Sequence, residues 1–359
     1  MNILLLSGGR GMAGSTNSIA FLAKGLHTRG HTVFVGCPRQ SVLGEMLAGT
    51  GVVVVAMSFR GMFDRGDMQK IRELVRDHGI QVINAQSHND RYIAIFARFL
   101  FRLPVALVHT RRQPPLSSGG WLQSRFFSLA TDAIVAVSAT LKDTLVAKGY
   151  IAGRVHVIYN GTPAARYRNG DNTRTEALRR KLQLPADAIV IGCISRRKKQ
   201  DQLIRALPLL PFNVTAIFAG VEPGIYDELI RQTGCTQRVV YAGFIDGDTV
   251  LDYYRLCSCS VVCSTTDGFG LSLVESMALD VPVAATRSVG FQDVITHGNN
   301  GLLFDDGNIQ EIAGAVTTLI NDTAVRQRCI ANGRITAFDT FSIERTIAAY
   351  ESLFARLIR

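Results

Sequence analysis

The sequence predicts an α/β protein built from two doubly wound parallel sheets, one in each half of the chain. Short apolar runs rich in β-branched residues recur along all 359 residues and alternate with helical patterns. That alternation is typical of parallel sheets covered by helices on both faces. The length is also greater than one ordinary core occupies, and it suits two domains of similar size.

The first half repeats a strand followed by a helical pattern. Its predicted strands are Asn2–Leu6, Thr32–Val35, Val52–Met57, Val82–Ala85, Val105–Val108, Ala133–Val137 and Val155–Tyr159. A helical pattern over Ile19–Leu26 follows the first strand, and the turn Gly30-His31 precedes the second. The turn-rich segment Asn160–Pro163 then ends this half, so we expect an N-terminal domain over residues 1–163.

The second half begins a new series of strands. They are predicted at Ile189–Ile194, Val214–Ala219, Val239–Tyr241, Cys259–Cys263, Val281–Ala285 and Leu302–Phe304. A helix is predicted over Asp201–Leu207, and residues 164–342 form the expected second domain. The amphipathic segment 343–359 predicts a last helix that packs back on the first domain. We expect the carboxyl ends of the two sheets to face a central cleft, where such folds bind ligands.

Composition indicates an ordinary globular protein of the cytoplasm. Hydrophobic residues make up 47% of the chain and charged residues 19%. No run approaches the ~20 apolar residues that a membrane-spanning helix needs. The start MNILLLSGG lacks a cationic region and is interpreted as a buried strand rather than a signal peptide. The seven cysteines are scattered, which favours a reducing compartment.

The excess positive charge lies entirely in the first half. Residues 1–163 hold 18 lysines and arginines against 8 acids, whereas residues 164–359 hold 21 of each. This asymmetry predicts an anionic partner, either a phosphorylated glycan or a membrane surface, unless it is only a solvated basic face. Nucleic acid is disfavoured because no reading module is present. Within RYIAIFARFLFRLP the arginines edge an apolar stripe; the pattern fits a membrane-facing patch but favours a core stripe with snorkelling arginines.

Two glycine-rich stretches are candidate ligand loops. The first, Gly9–Gly14, fits G-x-G-x-x-G between a strand and a helix. A dinucleotide site also needs an acid at the end of the second strand, but that position is occupied by Gly36-Cys37-Pro38-Arg39. Arg39 could bind a 2′-phosphate, so an NADP site and a loop that merely packs tightly both remain open.

The second stretch, TTDGFGLSLVES, covers residues 265–276. Its glycines let the backbone approach a ligand, and a helix from about Leu271 directs N–H groups at a diphosphate. Glu275 could accept the two vicinal hydroxyls of a ribose, and Asp267 those of a second ring. The alternative is that Asp267 is a helix N-cap and Glu275 a first-turn acid that compensates the helix dipole.

This stretch and the following SMALDVPVAATRSVGFQDVITHGNNGLLF resemble the donor-binding signature of retaining GT-B glycosyltransferases of family 4. AVSATLKDTLVAKG with VHVIYNGTP resembles the end of that family's N-terminal domain, and GCISRRKKQDQLIRAL the start of its donor domain. These motifs occur in the family's order over nearly the whole chain. The resemblance implies a GT-B fold of two Rossmann-like domains.

The activity implied is transfer of a sugar from a nucleotide diphosphate such as UDP to a hydroxyl, with retention. A donor phosphate oxygen would take the acceptor proton on the same face. Neither a metal nor another cofactor is implied. The acceptor expected is an anionic glycan or a lipid-linked one in lipopolysaccharide or cell-envelope synthesis, at the inner face of the cytoplasmic membrane.

The resemblance also assigns donor-side residues. Glu275 falls on the ribose-binding acid, and Asp267 on the acid that contacts the donor sugar, where the family usually has glutamate. Lys198 matches the diphosphate-binding lysine, but the arginine expected five positions earlier is Cys193, so Arg196 and Arg197 are candidate substitutes. The complete donor-side set is Asp267, Gly268, Phe269, Gly270, Leu271, Ser272, Glu275, Arg196, Arg197, Lys198, Gly14 from the family's N-terminal glycine loop, and His109 from a strand of the first domain.

His109 is either a contact to the transferred donor sugar or a structural histidine. Arg111 and Arg112 follow it closely. His88 and Asp90 lie where the family has an H-x-H-S segment, whose two histidine positions hold Asn84 and Gln86 here. We therefore include His88, Asp90, Arg111 and Arg112 as acceptor candidates.

Two patterns imitate metal sites. Asp246-Gly247-Asp248 resembles D-x-D but lies between a strand and a helix, so we interpret it as turn and cap chemistry. Cys257, Cys259 and Cys263 are interpreted as buried thiols. A sugar-nucleotide epimerase of the same fold, or an inactive nucleotide-sugar-binding subunit suggested by Cys193 and Asp267, remain alternatives.

Overall fold

The chain forms two compact units. Unit 1 comprises Met1–Gly161 with Ser342–Arg359, and unit 2 comprises Thr162–Phe341. The computed structural model describes residues 1–115, 120–168, 172–245 and 247–358.

Unit 1 is built on a seven-stranded parallel sheet with the order β3-β2-β1-β4-β5-β6-β7. The strands are β1 (Asn2–Leu6), β2 (Thr32–Cys37), β3 (Val53–Ala56), β4 (Val82–Ala85), β5 (Ala106–Arg111), β6 (Ala133–Ala136) and β7 (Val155–Val157). The helices between them are α1 (Gly14–Thr28), α2 (Val42–Leu47), α3 (Arg65–His78), α4 (Asn89–Phe101), α5 (Gly120–Ala130) and α6 (Ala139–Ala147).

Unit 2 is built on a six-stranded parallel sheet with the order β10-β9-β8-β11-β12-β13. The strands are β8 (Val190–Ile194), β9 (Thr215–Ala219), β10 (Arg238–Gly243), β11 (Cys259–Val262), β12 (Val283–Thr286) and β13 (Leu302–Phe304). The helices are α7 (Ala165–Arg168), α8 (Asn172–Lys181), α9 (Asp201–Ala206), α10 (Asp227–Thr233), α11 (Thr249–Leu256), α12 (Leu271–Ala278), α13 (Phe291–Val294), α14 (Ile309–Asn321) and α15 (Thr323–Ile335). The last helix of the chain, α16 (Ile343–Leu357), returns to unit 1.

The predicted fold class is confirmed, because every strand predicted from an apolar run is present in one of the two parallel sheets. The strand ends differ by a few residues, since hydrogen-bond pairing rather than hydrophobicity decides where a strand stops. The first helix begins at Gly14, five residues before the predicted start at Ile19. Ala13 is its extended N-cap, so the glycine-rich stretch ends inside the first helical turn.

The core of unit 1 is closed by the last helix. Ile347, Tyr350 and Phe354 are buried with the apolar residues of α1 and of the sheet. Gly25 of α1 makes this close packing possible, because a Cβ atom there would lie 2.0 Å from Cδ1 of Ile347. Residues at the end of the chain therefore complete a core that is otherwise built from its beginning.

A buried hydrogen-bond chain links α16 to the sheet. The Thr110 hydroxyl donates to Oδ1 of Asn84 at 3.0 Å and lies 3.1 Å from the Tyr350 hydroxyl. All three side chains are buried. Polar atoms in such a place need partners, because an unpaired buried group costs ~1–3 kcal/mol.

The stripe in RYIAIFARFLFRLP is mostly core. Helix α4 buries Tyr92, Ile93 and Ile95, as the core interpretation predicted. Its end differs, because Phe99 and Leu100 are 63% and 67% exposed. Within the described ranges no helix combines the length and the apolar character needed to cross a lipid bilayer.

Tyr350→Phe tests the buried hydrogen-bond chain. We expect it to lower the free energy of unfolding by about 1 kcal/mol, because the Thr110 hydroxyl loses a partner. Thr110→Val removes the Thr110 hydroxyl, so that Tyr350 and Asn84 each lose a hydrogen-bond partner. In urea unfolding, the free energy of unfolding lost by the double variant should be clearly smaller than the sum of the losses in the two single variants. Full additivity would show that the Tyr350–Thr110 bond contributes nothing.

Candidate functional site

The loop before α12 places an acid and two glycines at the end of a strand of unit 2. Gly270 is the N-cap of α12 with φ of 99°, a left-handed conformation that favours glycine. The first turn of α12 contains no acid. The capping alternative is therefore wrong: the cap falls three residues after Asp267, and Glu275 is the fifth helical residue.

A second glycine fixes this loop from behind. Gly290 has φ of 84°, and a Cβ atom on it would lie 2.4 Å from the carbonyl carbon of Gly268 and 2.5 Å from the amide nitrogen of Phe269. Phe269 is itself buried, with its ring edge-on to Phe341 at 5.0 Å between centroids. The backbone of residues 268–270 therefore has little freedom to move toward Gly290.

Asp267 is paired with Lys198 from the loop after β8. The ammonium group of Lys198 donates to Oδ2 of Asp267, and the two side chains are 20% and 24% exposed. The structure thus brings together the two residues that the family resemblance assigned to the donor sugar and the diphosphate. Their positions differ by 69 residues in the sequence.

Glu275 is paired with Arg166, a residue that our sequence interpretation missed. Nη1 of Arg166 lies 2.5 Å from Oε1 of Glu275, and the side chains are only 8% and 12% exposed. Burial lowers the pKa of Arg166, but the charge of Glu275 outweighs it, so that this pKa is raised overall. The one sequence signal for Arg166 is its place just after the turn-rich segment Asn160–Pro163.

Arg166 also explains Asp248. This residue occupies the N-cap position of α11, but its side chain makes no capping bond there. Its Oδ1 instead accepts a hydrogen bond from Nε of Arg166 at 2.8 Å. The turn and cap interpretation is confirmed for the position of Asp248, although its side chain bonds to Arg166 rather than to a helix N–H group. Asp246, the first acid of the D-x-D pattern, lies outside the described residues.

The loop between β8 and α9 is shaped by a buried glutamine. Nε2 of Gln200 donates to the carbonyl of Arg196 at 2.8 Å, and Oε1 accepts from the amide of Lys198 at 2.5 Å. Gln200 has no exposed surface. This bonding turns the basic run outward, and Arg196 and Arg197 are both exposed.

A cavity of about 420 Å³ adjoins this loop within unit 2. Its walls combine three cations with an apolar side that includes Val221, Ile225 and Phe244. Thr266, the neighbour of Asp267, also lines it. The cavity therefore offers an apolar surface beside a cluster of positive charge.

Cys193 has a structural explanation. It lies in β8 and is 1% exposed, in a core cluster with Leu203 and Phe218. Burial raises the pKa of its thiol to about 12. Side chains alternate across a strand, and that of Cys193 faces the core. In this segment, the residues that reach the cavity are those of the loop after β8.

The cysteine pattern is not a metal cluster. Cys257, Cys259 and Cys263 are free and buried, as interpreted from their apolar surroundings, and burial raises the pKa of each. Across the residues that the structure describes, no group of three or more His, Cys, Asp or Glu is arranged to hold a metal ion.

In unit 1, two of the expected residues, His109 and Arg112, have polar groups inside the protein. His109 is 1% exposed near Phe127, and burial lowers its pKa well below the usual value. Arg112 donates to Oδ1 of Asn160 at 2.7 Å and to Oε1 of Gln86 at 2.5 Å. Gly14, from the N-terminal glycine loop, is the first residue of α1.

Asp90 and His88 lie at the turn between β4 and α4. Asp90 is fully buried and accepts hydrogen bonds from the amides of Gln86 and Ser87 at 3.1 and 2.8 Å. Burial raises the pKa of Asp90 to about 6, and these amide bonds oppose the rise. Through these hydrogen bonds Asp90 stabilises the turn, whereas His88 is exposed.

Comparison with known families agrees with this architecture. Residues 12–166 match the model described as Glycosyltransferase Family 4, and residues 175–336 match the one described as Glycosyl transferases group 1. Together the two matches leave only the chain ends and a short connection uncovered.

Named relatives are similar in sequence or in fold. The chain is 25% identical to the lipopolysaccharide core biosynthesis mannosyltransferase LpsB of Rhizobium meliloti, over 91% of this chain and 93% of that protein. It is 33% identical to the lipopolysaccharide core biosynthesis glycosyltransferase LpsE of the same organism, over 49% of this chain and 53% of that protein. Anabaena HepE, solved with UDP-glucose, shares the fold with a TM-score of 0.83 at 23% identity, over 99% of this chain and 100% of that one.

Gly290→Ala tests whether close backbone packing fixes the ligand loop. The matched control is Gly298→Ala, because Gly298 has φ of 76° but no atom within 4 Å of the point that its Cβ would occupy. The control should lose about 1–2 kcal/mol of stability through backbone strain alone. We expect Gly290→Ala to lose clearly more in chemical denaturation, through the added clash with Gly268 and Phe269. Equal losses would contradict the packing argument.

Proposed function

The chain belongs to the family 4 glycosyltransferases with the GT-B fold, and we propose that it moves a sugar from UDP to a hydroxyl of an anionic glycan or lipid-linked acceptor. The proposed transfer retains the anomeric configuration and serves lipopolysaccharide or related cell-envelope synthesis in the cytoplasm. The proposal rests on two ion pairs: Lys198–Asp267, at the loop before α12, and Arg166–Glu275, at α12 itself.

The diphosphate would bind at the N-terminus of α12. The amides of Leu271 and Ser272 belong to the first helical turn, where N–H groups lack intrahelical partners and favour an anion. Lys198, with Arg196 and Arg197 beside it, supplies the countercharge. A diphosphate carries more negative charge than a carboxylate, so Lys198 would exchange Asp267 for the ligand and leave Asp267 to bind sugar hydroxyls.

The nucleoside would lie between Glu275 and the cavity. Arg166 binds Oε1 of Glu275 and so fixes the orientation of the carboxylate. The second carboxylate oxygen can then accept hydrogen bonds from ribose hydroxyls. The apolar wall at Val221, Ile225 and Phe244 suits a planar base. The choice of UDP is supported by HepE, which has the same fold and was solved with UDP-glucose.

The chemistry follows from this charge arrangement. As the bond from the sugar to the diphosphate breaks, negative charge grows on the leaving group, and the cations with the α12 N-terminus stabilise it in place. The proton of the attacking hydroxyl passes to a phosphate oxygen of the donor on the same face. We propose that no metal is required, because three basic side chains and a helix N-terminus converge on the expected diphosphate position.

The test begins with the donor. A thermal-shift screen of UDP, GDP and ADP, each alone and as its sugar conjugate, should show the largest stabilisation with the UDP pair. Transfer to cell-envelope oligosaccharides should then continue in EDTA, and proton NMR of the product should show the donor's anomeric configuration. Tight binding without turnover would instead indicate a non-catalytic subunit, and a changed sugar on UDP without acceptor would indicate an epimerase.

Glu275→Gln tests the ribose contact. We expect its affinity for UDP to fall about tenfold, because the hydrogen bond from a hydroxyl to a charged acceptor contributes ~1.5–3 kcal/mol. Glu228→Gln is the control, since Glu228 is an exposed acid of the same unit whose side chain is 61% accessible. Titration calorimetry with UDP measures both variants. An unchanged affinity in Glu275→Gln would remove the central residue of the proposal.

We also propose that unit 1 binds the cytoplasmic membrane surface through α5 and the end of α4. Trp121, Leu122 and Leu129 of α5 are 58%, 75% and 66% exposed, and Phe99 and Leu100 lie exposed at the end of α4. The sequence from 91 to 131 contains six arginines and no acid. Exposed apolar side chains near Arg102, which is exposed, and Arg125, which stacks over Trp121, match the interface of an anionic bilayer.

Intrinsic fluorescence can report membrane binding, because Trp121 is the only tryptophan in the chain. Its emission should shift to the blue when vesicles containing phosphatidylglycerol are added, and less so at high salt. Replacing both Leu122 and Leu129 by Asp should reduce vesicle binding more than tenfold, since each buried leucine contributes ~1.5–3 kcal/mol. Leu209→Asp, at a 50% exposed site in unit 2, is the control and should bind normally. Equal binding by all variants would exclude this surface.

A further inference from the structure

Unit 1 contains arginines that no carboxylate neutralises. Among the described residues, neither Arg91, Arg111 nor Arg112 makes an ion pair with an acid. In unit 2, by contrast, Lys198 and Arg166 are both paired. Arg112 bonds to two neutral amide side chains, so the unexplained charges are those of Arg91 and Arg111.

Arg91 is the more unusual of the two. Its side chain is 8% exposed and stacks over the ring of Phe127 at 4.6 Å. Its Nε is buried without a partner in the described residues, and Nη2 contacts only Nδ1 of His88 at 2.6 Å. A guanidinium group keeps its charge at every physiological pH and has five donors to satisfy. Leaving it buried and incompletely paired is strongly unfavourable.

Arg111 belongs to the same cluster. It is half-buried, and its Nε also lacks a partner in the described residues. Burial lowers the pKa of Arg111, and the charge of Arg91 lowers it further. Tyr150 is 5% exposed; burial raises the pKa of its hydroxyl, and the charges of Arg111 and Arg91 oppose that rise.

The one neighbouring acid does not neutralise this cluster. Asp90 is fully buried, and its two oxygens accept hydrogen bonds from the main chain of Gln86 and Ser87. Among the described contacts Asp90 therefore makes no ion pair with the guanidinium group of Arg91. His88, which is exposed, adds a further hydrogen-bonding group on the outer side.

The position of the cluster is that of a ligand site. Arg111 is the last residue of β5, His88 is the N-cap of α4, and Arg91 lies in its first turn after β4. These are the carboxyl ends of adjacent parallel strands, where open α/β sheets bind their ligands. The N-terminus of α4, whose N-cap provides no side-chain capping bond, adds a partial positive charge.

We propose that Arg91, Arg111, Tyr150 and His88 form a binding site for a phosphoryl group. The two permanent positive charges match a phosphomonoester, which carries about −1.5 to −2 at neutral pH, better than a single carboxylate. Its three free oxygens can accept from both guanidinium groups and from the Tyr150 hydroxyl. Where the proposed function holds, on which this further step rests, the phosphoryl group belongs to the acceptor and selects phosphorylated glycans.

The binding test uses inorganic phosphate and the full chain. Thermal unfolding is followed as phosphate rises at constant ionic strength, with acetate as the carboxylate comparison. Wild type should be stabilised by phosphate and not by acetate, because bound ligand raises the unfolding temperature. Arg111→Gln should weaken this response at least tenfold. Arg102→Gln, which removes an exposed charge from the same basic stretch, should respond as wild type does.

Two further variants keep the result decisive. Lys198→Gln removes the cation of the donor loop and should keep most of the phosphate response, which separates the two sites. Arg91→Gln should lose the response; if it fails to fold, Arg111→Gln still carries the test. An Arg111→Gln response equal to that of Arg102→Gln, or equal stabilisation by acetate, would overturn the proposal.

The acceptor role is tested by turnover. A phosphorylated core oligosaccharide and the same material after phosphatase treatment are compared as acceptors. Arg111→Gln should raise KM for the phosphorylated acceptor about tenfold with little change in kcat, and it should not change KM for the other. An unchanged KM for the phosphorylated acceptor would overturn this role. Absence of turnover with a bound UDP-sugar would count against the proposed function, whereas the phosphate titration would still decide the site.

Discussion

Both units depend on one constraint: a parallel sheet that is covered on both faces leaves only its strand ends for chemistry. Most residues inside the strands are apolar and buried, as the core clusters of unit 1 and unit 2 show, and buried polar ones such as Asn84 and Thr110 are bonded to each other. Candidate ligand residues therefore lie mainly at strand ends and on the elements that follow them. The loop after β8, the loop before α12 and the turn after β4 hold Lys198, Asp267 and His88.

The two units use these strand ends differently. In unit 2 Asp267 and Glu275 each have a cation beside them, so a nucleotide bound at the proposed site would exchange partners with one or both acids. In unit 1 Arg91 and Arg111, near the ends of β4 and β5, keep buried Nε atoms without a partner among the described residues. A site of paired charges favours exchange and release, whereas one of unpaired charges gains stability only when an anion arrives.

Much of the fold could be predicted because local patterns determine it. The β-branched runs identified every strand, and glycines at 268 and 270 correctly indicated a loop followed by a helix. Cys193 could also have been placed, since strand alternation puts it on the same face as buried Ile191. The contact between Arg166 and Glu275 could not, because it joins residues 109 positions apart and no local pattern encodes such a meeting. Gln200 was missed for another reason: its importance lies in hydrogen bonds from its side chain to main-chain atoms of its own turn.

The return of α16 to unit 1 has a consequence for how the protein is made. Unit 2 is a continuous stretch, Thr162–Phe341. The strands of unit 1 precede it in the chain, yet Leu353 and Phe354, which follow it, belong to the core of unit 1. During translation the sheet of unit 1 therefore keeps an apolar face uncovered until unit 2 and α16 have been made. Loss of α16 would damage the domain whose strands are synthesised first.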